Sequence, residues 1–308
     1  MTPAETPSRY LLALLFDPAA RAEHAAHPAR AMASFGLSAE QARAFDALDL
    51  DALQVEAAAR RRYLMSALCR AYPLTAGALG AAEGGAERLA AFLAHPQAIQ
   101  GAAARNAAFG AHLARLLDLP PLADTPAVGR LLAPVLDLER GLVSVAARLR
   151  AAVARGRPPD PPTTWRSADR KRRALALPAH LLVVTLPVSP GVLRAALHGI
   201  QPQDAWQRIR GGDLSFARVA AVAAADPAPV TVLARAIATG VARTRGVGGA
   251  VAPQVDVRHR TVELAGPPPG LLRQCDGSMR LSDLPDHQRR LARALLDAGL
   301  LTLADPAT

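Results

Sequence analysis

The sequence predicts an α+β protein in three parts. These are an all-α helical bundle over residues 1–155, a Pro- and Arg-rich linker over 156–177, and a mixed strand-and-helix domain over 178–308. Three observations carry this. Leu and Ala recur at helical spacing through the first half. Gly156-Arg157-Pro158-Pro159-Asp160-Pro161-Pro162 cannot continue a helix. Beyond it, short apolar runs bounded by prolines replace the long amphipathic ones. At 308 residues the chain is long enough for two domains. Hydrophobic residues make up 51% but aromatics only 4%, so Leu, Ala and Val must fill the cores.

Leu11, Leu12, Leu14, Leu15 and Phe16 open an apolar helical face that stops at Asp17-Pro18. A second helix is predicted from about Ala19 to Phe35, ended by Gly36. Ser38 and Gln41 have capping-box spacing, and Asp49 or Asp51 offers the next N-cap. A long helix follows over about 50–71, with Leu53, Ala57, Leu64, Leu68 and Cys69 on one face. Further helices are predicted at Leu74–Leu79, Glu87–Ala94, 98–118 and 126–155.

After the linker, Leu181–Leu186 reads as a strand and Asp204–Arg210 as a short helix. Phe216–Ala223 is a strand candidate, and Val230–Ala238 fits either a strand or a helix. Val255–Leu264 alternates, with His259-Arg260 as a possible hairpin turn. Helices at Gly270–Cys275, Leu281–Leu284 and Asp286–Ala298 follow, then a final strand at Leu300–Leu303.

No catalytic constellation is visible. There is no Gly-x-Ser-x-Gly elbow, Walker loop or dinucleotide fingerprint. Gly246-Val247-Gly248-Gly249 lacks the Lys-Ser/Thr of a phosphate loop and reads as a turn. His24 and His27 stand three apart on one helix, a spacing that reads as a solvated pair better than as a metal site. Cys69 and Cys275 have no zinc-ligand spacing and are expected to be reduced and buried. No secretion signal or unbroken membrane-length apolar run is present, so a soluble, cytoplasmic protein is expected. The net charge of +10 fits either an acidic partner or a solvated arginine-rich surface.

Three stretches carry a family resemblance. The first is Arg61-Arg62-Tyr63 through Cys69-Arg70-Ala71-Tyr72-Pro73, then Leu79-Gly80 and Arg88-Leu89-Ala90-Ala91-Phe92-Leu93. The second is Phe109-Gly110-Ala111-His112-Leu113, Leu119-Pro120-Pro121-Leu122-Ala123-Asp124 and Leu136-Asp137-Leu138-Glu139-Arg140. The third is Leu271-Leu272-Arg273-Gln274-Cys275-Asp276-Gly277, Leu281-Ser282-Asp283-Leu284 and Leu295 to Leu301. The first two resemble the helical half of the partner proteins of multinuclear non-heme iron-dependent oxidases. Those enzymes modify ribosomally made peptides, as in the methanobactin, thiaglutamate and aminopyruvatide pathways. The third resembles the winged-helix leader-binding module known as the RiPP recognition element. Phe16-Asp17-Pro18 through Leu37-Ser38 and Ala47-Leu48-Asp49 is instead similar to the small helical subunit of ring-cleaving dioxygenases, which leaves the role of the first 55 residues open.

The resemblance implies a non-catalytic accessory subunit. It would hold the leader of a precursor peptide as an added strand and present the core to a separate oxidase, as a heterodimer. The iron belongs to that oxidase, and no cofactor or metal is expected in this chain. The resemblance implies no nucleic-acid or membrane partner. The natural edge is Val255–Leu264, with Val255, Val257, Val262 and Leu264 beside the peptide. The helix Asp286–Ala298 would wall the groove, and Arg289, Arg290 and Arg293 would attract an acidic leader or simply solvate the helix. Arg60, Arg61 and Tyr63 are the candidate contacts for the oxidase. A winged helix with basic residues also suits a DNA-binding regulator. A standalone enzyme with a site assembled from distant residues is the third class.

Overall fold

The computed structural model describes residues 5–120, 122–156, 173–225, 228–245 and 251–304. The fold is α+β, with two small antiparallel sheets among many helices. The first part is helical: α1 (Glu5–Phe16), α2 (Pro18–Ala26), α3 (Pro28–Ser34), α4 (Ala39–Asp46), α5 (Leu50–Ala71), α6 (Pro73–Gly80), α7 (Gly85–Ala90), α8 (Ala102–Leu117) and α9 (Pro126–Ala154). Then come β1 (Ala174–Ala176), β2 (Leu181–Leu186), α10 (Pro190–Ala196), α11 (Ala205–Gly211), α12 (Phe216–Ala224), β3 (Val230–Arg245) and β4 (Val251–Ala265). The chain closes with α13 (Leu271–Gln274), β5 (Asp276–Arg280), α14 (Asp286–Asp297) and β6 (Thr302–Ala304).

The chain forms two compact units. One comprises Met1–Leu113 and Ile200–Leu214, the other Ala114–Gly199 and Ser215–Thr308. The proline-rich linker lies largely outside the described residues, as does the glycine turn at 246–249.

In the first unit, side chains cap the helix starts where the sequence places its N-cap residues. Ser38 Oγ accepts from Gln41 N while Gln41 Oε1 accepts from Ser38 N, a complete capping box. Asp49 Oδ1 accepts from the amides of Asp51 and Ala52. The expected helix 19–35 is broken in two, because Pro28 has no N–H and forces His27 out of the helical region. His24, within the first of the two helices, is buried and lies 2.5 Å from the Tyr10 hydroxyl. The expected solvated His24–His27 pair is therefore corrected: His24 is a core residue. Tyr10 also meets Phe35 and Phe45 edge-on. Further along, α11 packs on α5 and α6, and Ile209 sits where a side chain at Gly80 would clash.

In the second unit, β2-β3-β4 is an antiparallel sheet with a helix layer on one face and an apolar core on the other. The sequence reading groups α9 with the helical bundle, yet α9 packs across all three strands of this sheet. Val145 and Leu149 of α9 meet Ala236, with Val257 and Leu182 beside them. On the opposite face, Leu233, Leu181, Val183, Val262 and Leu264 pack with Leu271, Leu272, Leu295 and Leu296. The second sheet, ordered β5-β1-β6, closes that core through Leu175 and Leu303. Arg235, also buried, donates from Nη1 to the carbonyl of Gly299, whose positive φ ends α14.

Two strand expectations are corrected. Phe216–Ala223 is helical: Ala217, Ala220, Ala221 and Ala223 favour a helix, and one face buries Val219. His259-Arg260 is no turn, because β4 runs unbroken to Ala265 and pairs with β3 as far as Arg245↔Val251.

Gly141 of α9 lies against Leu182, whose Cδ2 would be 2.5 Å from an added Cβ. Gly141→Val is expected to destabilise the second unit by about 1–3 kcal/mol through overpacking. Gly129→Ala on the same helix, with nothing within 4 Å of the new methyl, is expected to stabilise by up to about 1 kcal/mol. Urea denaturation of the two variants reads both signs.

Candidate functional site

β4 is an outer strand of its sheet. Its hydrogen-bond phase decides what the edge offers. Gly266 N donates to Pro229 O, and Ala236 N donates to His180 O. With the register Arg260↔Arg235 and Val262↔Leu233, the period of two assigns the even-numbered residues 258–266 to the β3 ladder. The odd-numbered residues Val257, His259, Thr261 and Glu263 therefore direct their N–H and C=O groups away from β3. Arg258, His259, Arg260 and Thr261 are all exposed.

One end of this edge is tied down by α9. Arg150 Nε donates to Val255 O at 3.3 Å, and His259 Nε2 lies 3.1 Å from Leu142 O. His259 as a whole is exposed, but the ring edge bearing Nε2 turns to α9. Burial of that ring lowers its pKa below the usual imidazole value; the Leu142 carbonyl opposes this and the Arg150 charge adds to it. At the other end Glu263 Oε2 accepts from Ser189 Oγ at 2.5 Å.

The apolar side chains expected to touch a peptide face inward. Val255 is buried, and Val257 joins the α9 layer. Val262 and Leu264 pack on the C-terminal core. They position the strand and line no common groove, because alternate residues serve opposite faces. The residues that sequence reasoning missed are His259 and Thr261, whose backbone is outward, and Arg150, which caps the strand. Continuing the alternation through His259 would have found the first two.

The cations on α14 are divided. Arg289 Nη2 donates to the carbonyls of Leu284 and Ser282, and its Nη1 lies 3.1 Å from Asp286 Oδ1. Its guanidinium thus braces the start of its own helix. Arg290 and Arg293 are exposed. Leu295 and Leu296 are buried, with Leu291 partly so.

On α5, Arg60 and Tyr63 stand three apart on one exposed face, while Arg61 is turned about 100° away from Arg60. Arg60 pairs with Glu56 across an exposed turn, and Tyr63 is 73% exposed. Arg61 turns inward and donates from Nη2 to Phe16 O at 2.9 Å.

Among the described residues, no group of three or more His, Cys, Asp or Glu side chains is placed to hold a metal ion. Cys69 and Cys275 are buried. Burial, then the charge of Asp276, pushes the Cys275 thiol up to about 11, which keeps it protonated. No helix of the described residues is long and apolar enough to cross a membrane.

The lowered imidazole pKa gives a pH test. The unfolded chain holds the His259 proton more tightly than the folded one, so stability is full above about pH 6.5 and falls as the pH drops below it. Urea midpoints between about pH 7 and 5 are expected to decline less steeply in His259→Gln than in the parent chain. No protein-family model matches the chain, and searches of the curated proteins and of the solved structures return no match.

Proposed function

We propose that this chain is a non-catalytic partner protein of a peptide-modifying, iron-dependent oxidase. It takes up the leader of a ribosomally made precursor peptide as a strand added along β4, and so presents the core to the oxidase, which holds the iron. The observation that carries this reading is the outward phase of Val257, His259, Thr261 and Glu263 on an outer strand. An incoming strand satisfies those amides and carbonyls, each contributing about 1 kcal/mol net. Arg258 and Arg260 would favour acidic residues in the guest. The order α13, β5, α14, β6 supports the likeness of the C-terminal part to a winged-helix leader-binding module. Holding the leader raises the concentration of the core at the oxidase without any chemistry by this chain.

The charges on β4 have a second use, since charged edge strands also resist aggregation. The exposed Arg290 and Arg293 favour one other reading, a winged-helix DNA binder. A salt-dependent mobility shift with duplex DNA in place of peptide binding would select it.

Affinity purification from the native host is expected to bring down an iron-containing oxidase and a short peptide. Thr261→Pro removes one outward amide and leaves the β3 ladder intact. It is expected to weaken peptide retention about tenfold or more, equivalent to about 1.4 kcal/mol, with the thermal melt and oxidase retention unchanged. Undiminished peptide binding in Thr261→Pro, measured by fluorescence anisotropy, would rule out strand addition at β4.

A further inference from the structure

The first unit contains a cavity of about 410 Å³ that the strand edge does not use. The end of α1, α5, α11 and the 3-10 turn Ala91–Ala94 surround it. Its volume falls in the range of small-ligand sites, roughly 300–1,000 Å³. The floor is apolar: Met65, Leu93 and Trp206 are each at most 7% exposed. The remaining charged lining is of one sign, from Arg61, Arg62 and Arg210, with no carboxylate among the lining residues.

These cations are short of partners. Arg62 and Arg210 are exposed and make no hydrogen bond or ion pair among the described residues. Arg61 spends Nη2 on the Phe16 carbonyl, and its buried Nε has no acceptor among the described residues. Burial, then the nearby Arg21 charge, lowers its pKa, with Asp17 opposing. Asp17 Oδ1 accepts from the Ala19 amide at the start of α2. The exposed guanidiniums of Arg62 and Arg210 remain open to make charge-assisted hydrogen bonds to a ligand carboxylate.

We infer that this cavity binds an acidic–apolar peptide segment: one apolar side chain enters over Met65, Leu93 and Trp206, and flanking carboxylates pair with Arg61, Arg62 and Arg210. A buried apolar floor under exposed cations fits that order of residues. An inorganic anion would leave the floor unused, and a neutral apolar ligand would leave the guanidiniums unmatched. The inference stands independently of the strand edge, since it uses no residue of β4.

The chain has two tryptophans, Trp165 and Trp206, so Trp165→Phe leaves Trp206 as the sole reporter. The full-length chain with that substitution is titrated with acetyl-Glu-Phe-Glu-amide, followed by Trp206 emission and by calorimetry. Saturable binding is expected, at least about tenfold tighter than for acetyl-Gln-Phe-Gln-amide or acetyl-Glu-Gly-Glu-amide, a difference of about 1.4 kcal/mol. Replacing the exposed pair, Arg62→Gln with Arg210→Gln, is expected to weaken it by a similar factor while the melting curve is unchanged. Equal affinity for the Gln peptide, an unaffected double variant, or no heat or emission change at millimolar peptide would each overturn the proposal. Binding of free 3-phenylpropanoate as tightly as the peptide would overturn the peptide assignment in favour of a small aromatic acid.

Discussion

The packing of α9 against the β2-β3-β4 sheet is the contact on which the second unit depends. Its closeness comes from Gly141, which lets Leu182 come within reach of the helix. Val145 and Leu149 then cover Ala236, and the Arg150 and His259 hydrogen bonds fix β4 along the helix. With α9 on one face and the leucine-rich C-terminal core on the other, both faces of the sheet are covered. The polar backbone of the odd-numbered residues 257–263 runs along its outer margin. A helix further away would expose Val257 and release the Arg150 and His259 contacts between it and β4.

Much of the helical order is legible in the sequence, because caps and prolines are local. The capping box at Ser38, the N-cap at Asp49 and the stop at Tyr72-Pro73 rest on neighbouring residues alone, and α5 begins and ends as expected. Contacts between distant segments were not legible. Periodicity shows that α9 has an apolar face, but not that a sheet covers it. In the same way, nothing local in Ala205–Gly211 says that it completes a helical unit formed by residues far earlier. Phe216–Ala224 misleads because Val and Phe suit a strand while the alanines between them suit a helix, and a helix burying Val219 on one face prevails.

The candidate site was half legible for the same reason. Alternation located the strand, but the side chains that made it conspicuous are the ones consumed by the two faces. The direction of the free backbone groups is set by register with β3 and cannot be read from side-chain identity. The arginines divide likewise. Arg289 and Arg61 hold backbone carbonyls of their own fold, whereas Arg290, Arg293, Arg62 and Arg210 remain exposed. Formal charge alone therefore overstates the cationic surface available to a partner.

The threading of α11 has a consequence for biogenesis. Trp206 and Ile209 belong to the helical unit but are encoded after β2. During synthesis the amino-terminal helices cannot close over Gly80 until residue 209 has left the ribosome, by which time the first strands of the sheet are already out. Neither unit is thus a contiguous cassette that recombination could transplant whole. Any fragment cut at the proline-rich stretch would carry an unsealed hydrophobic seam and call on chaperones to keep it soluble.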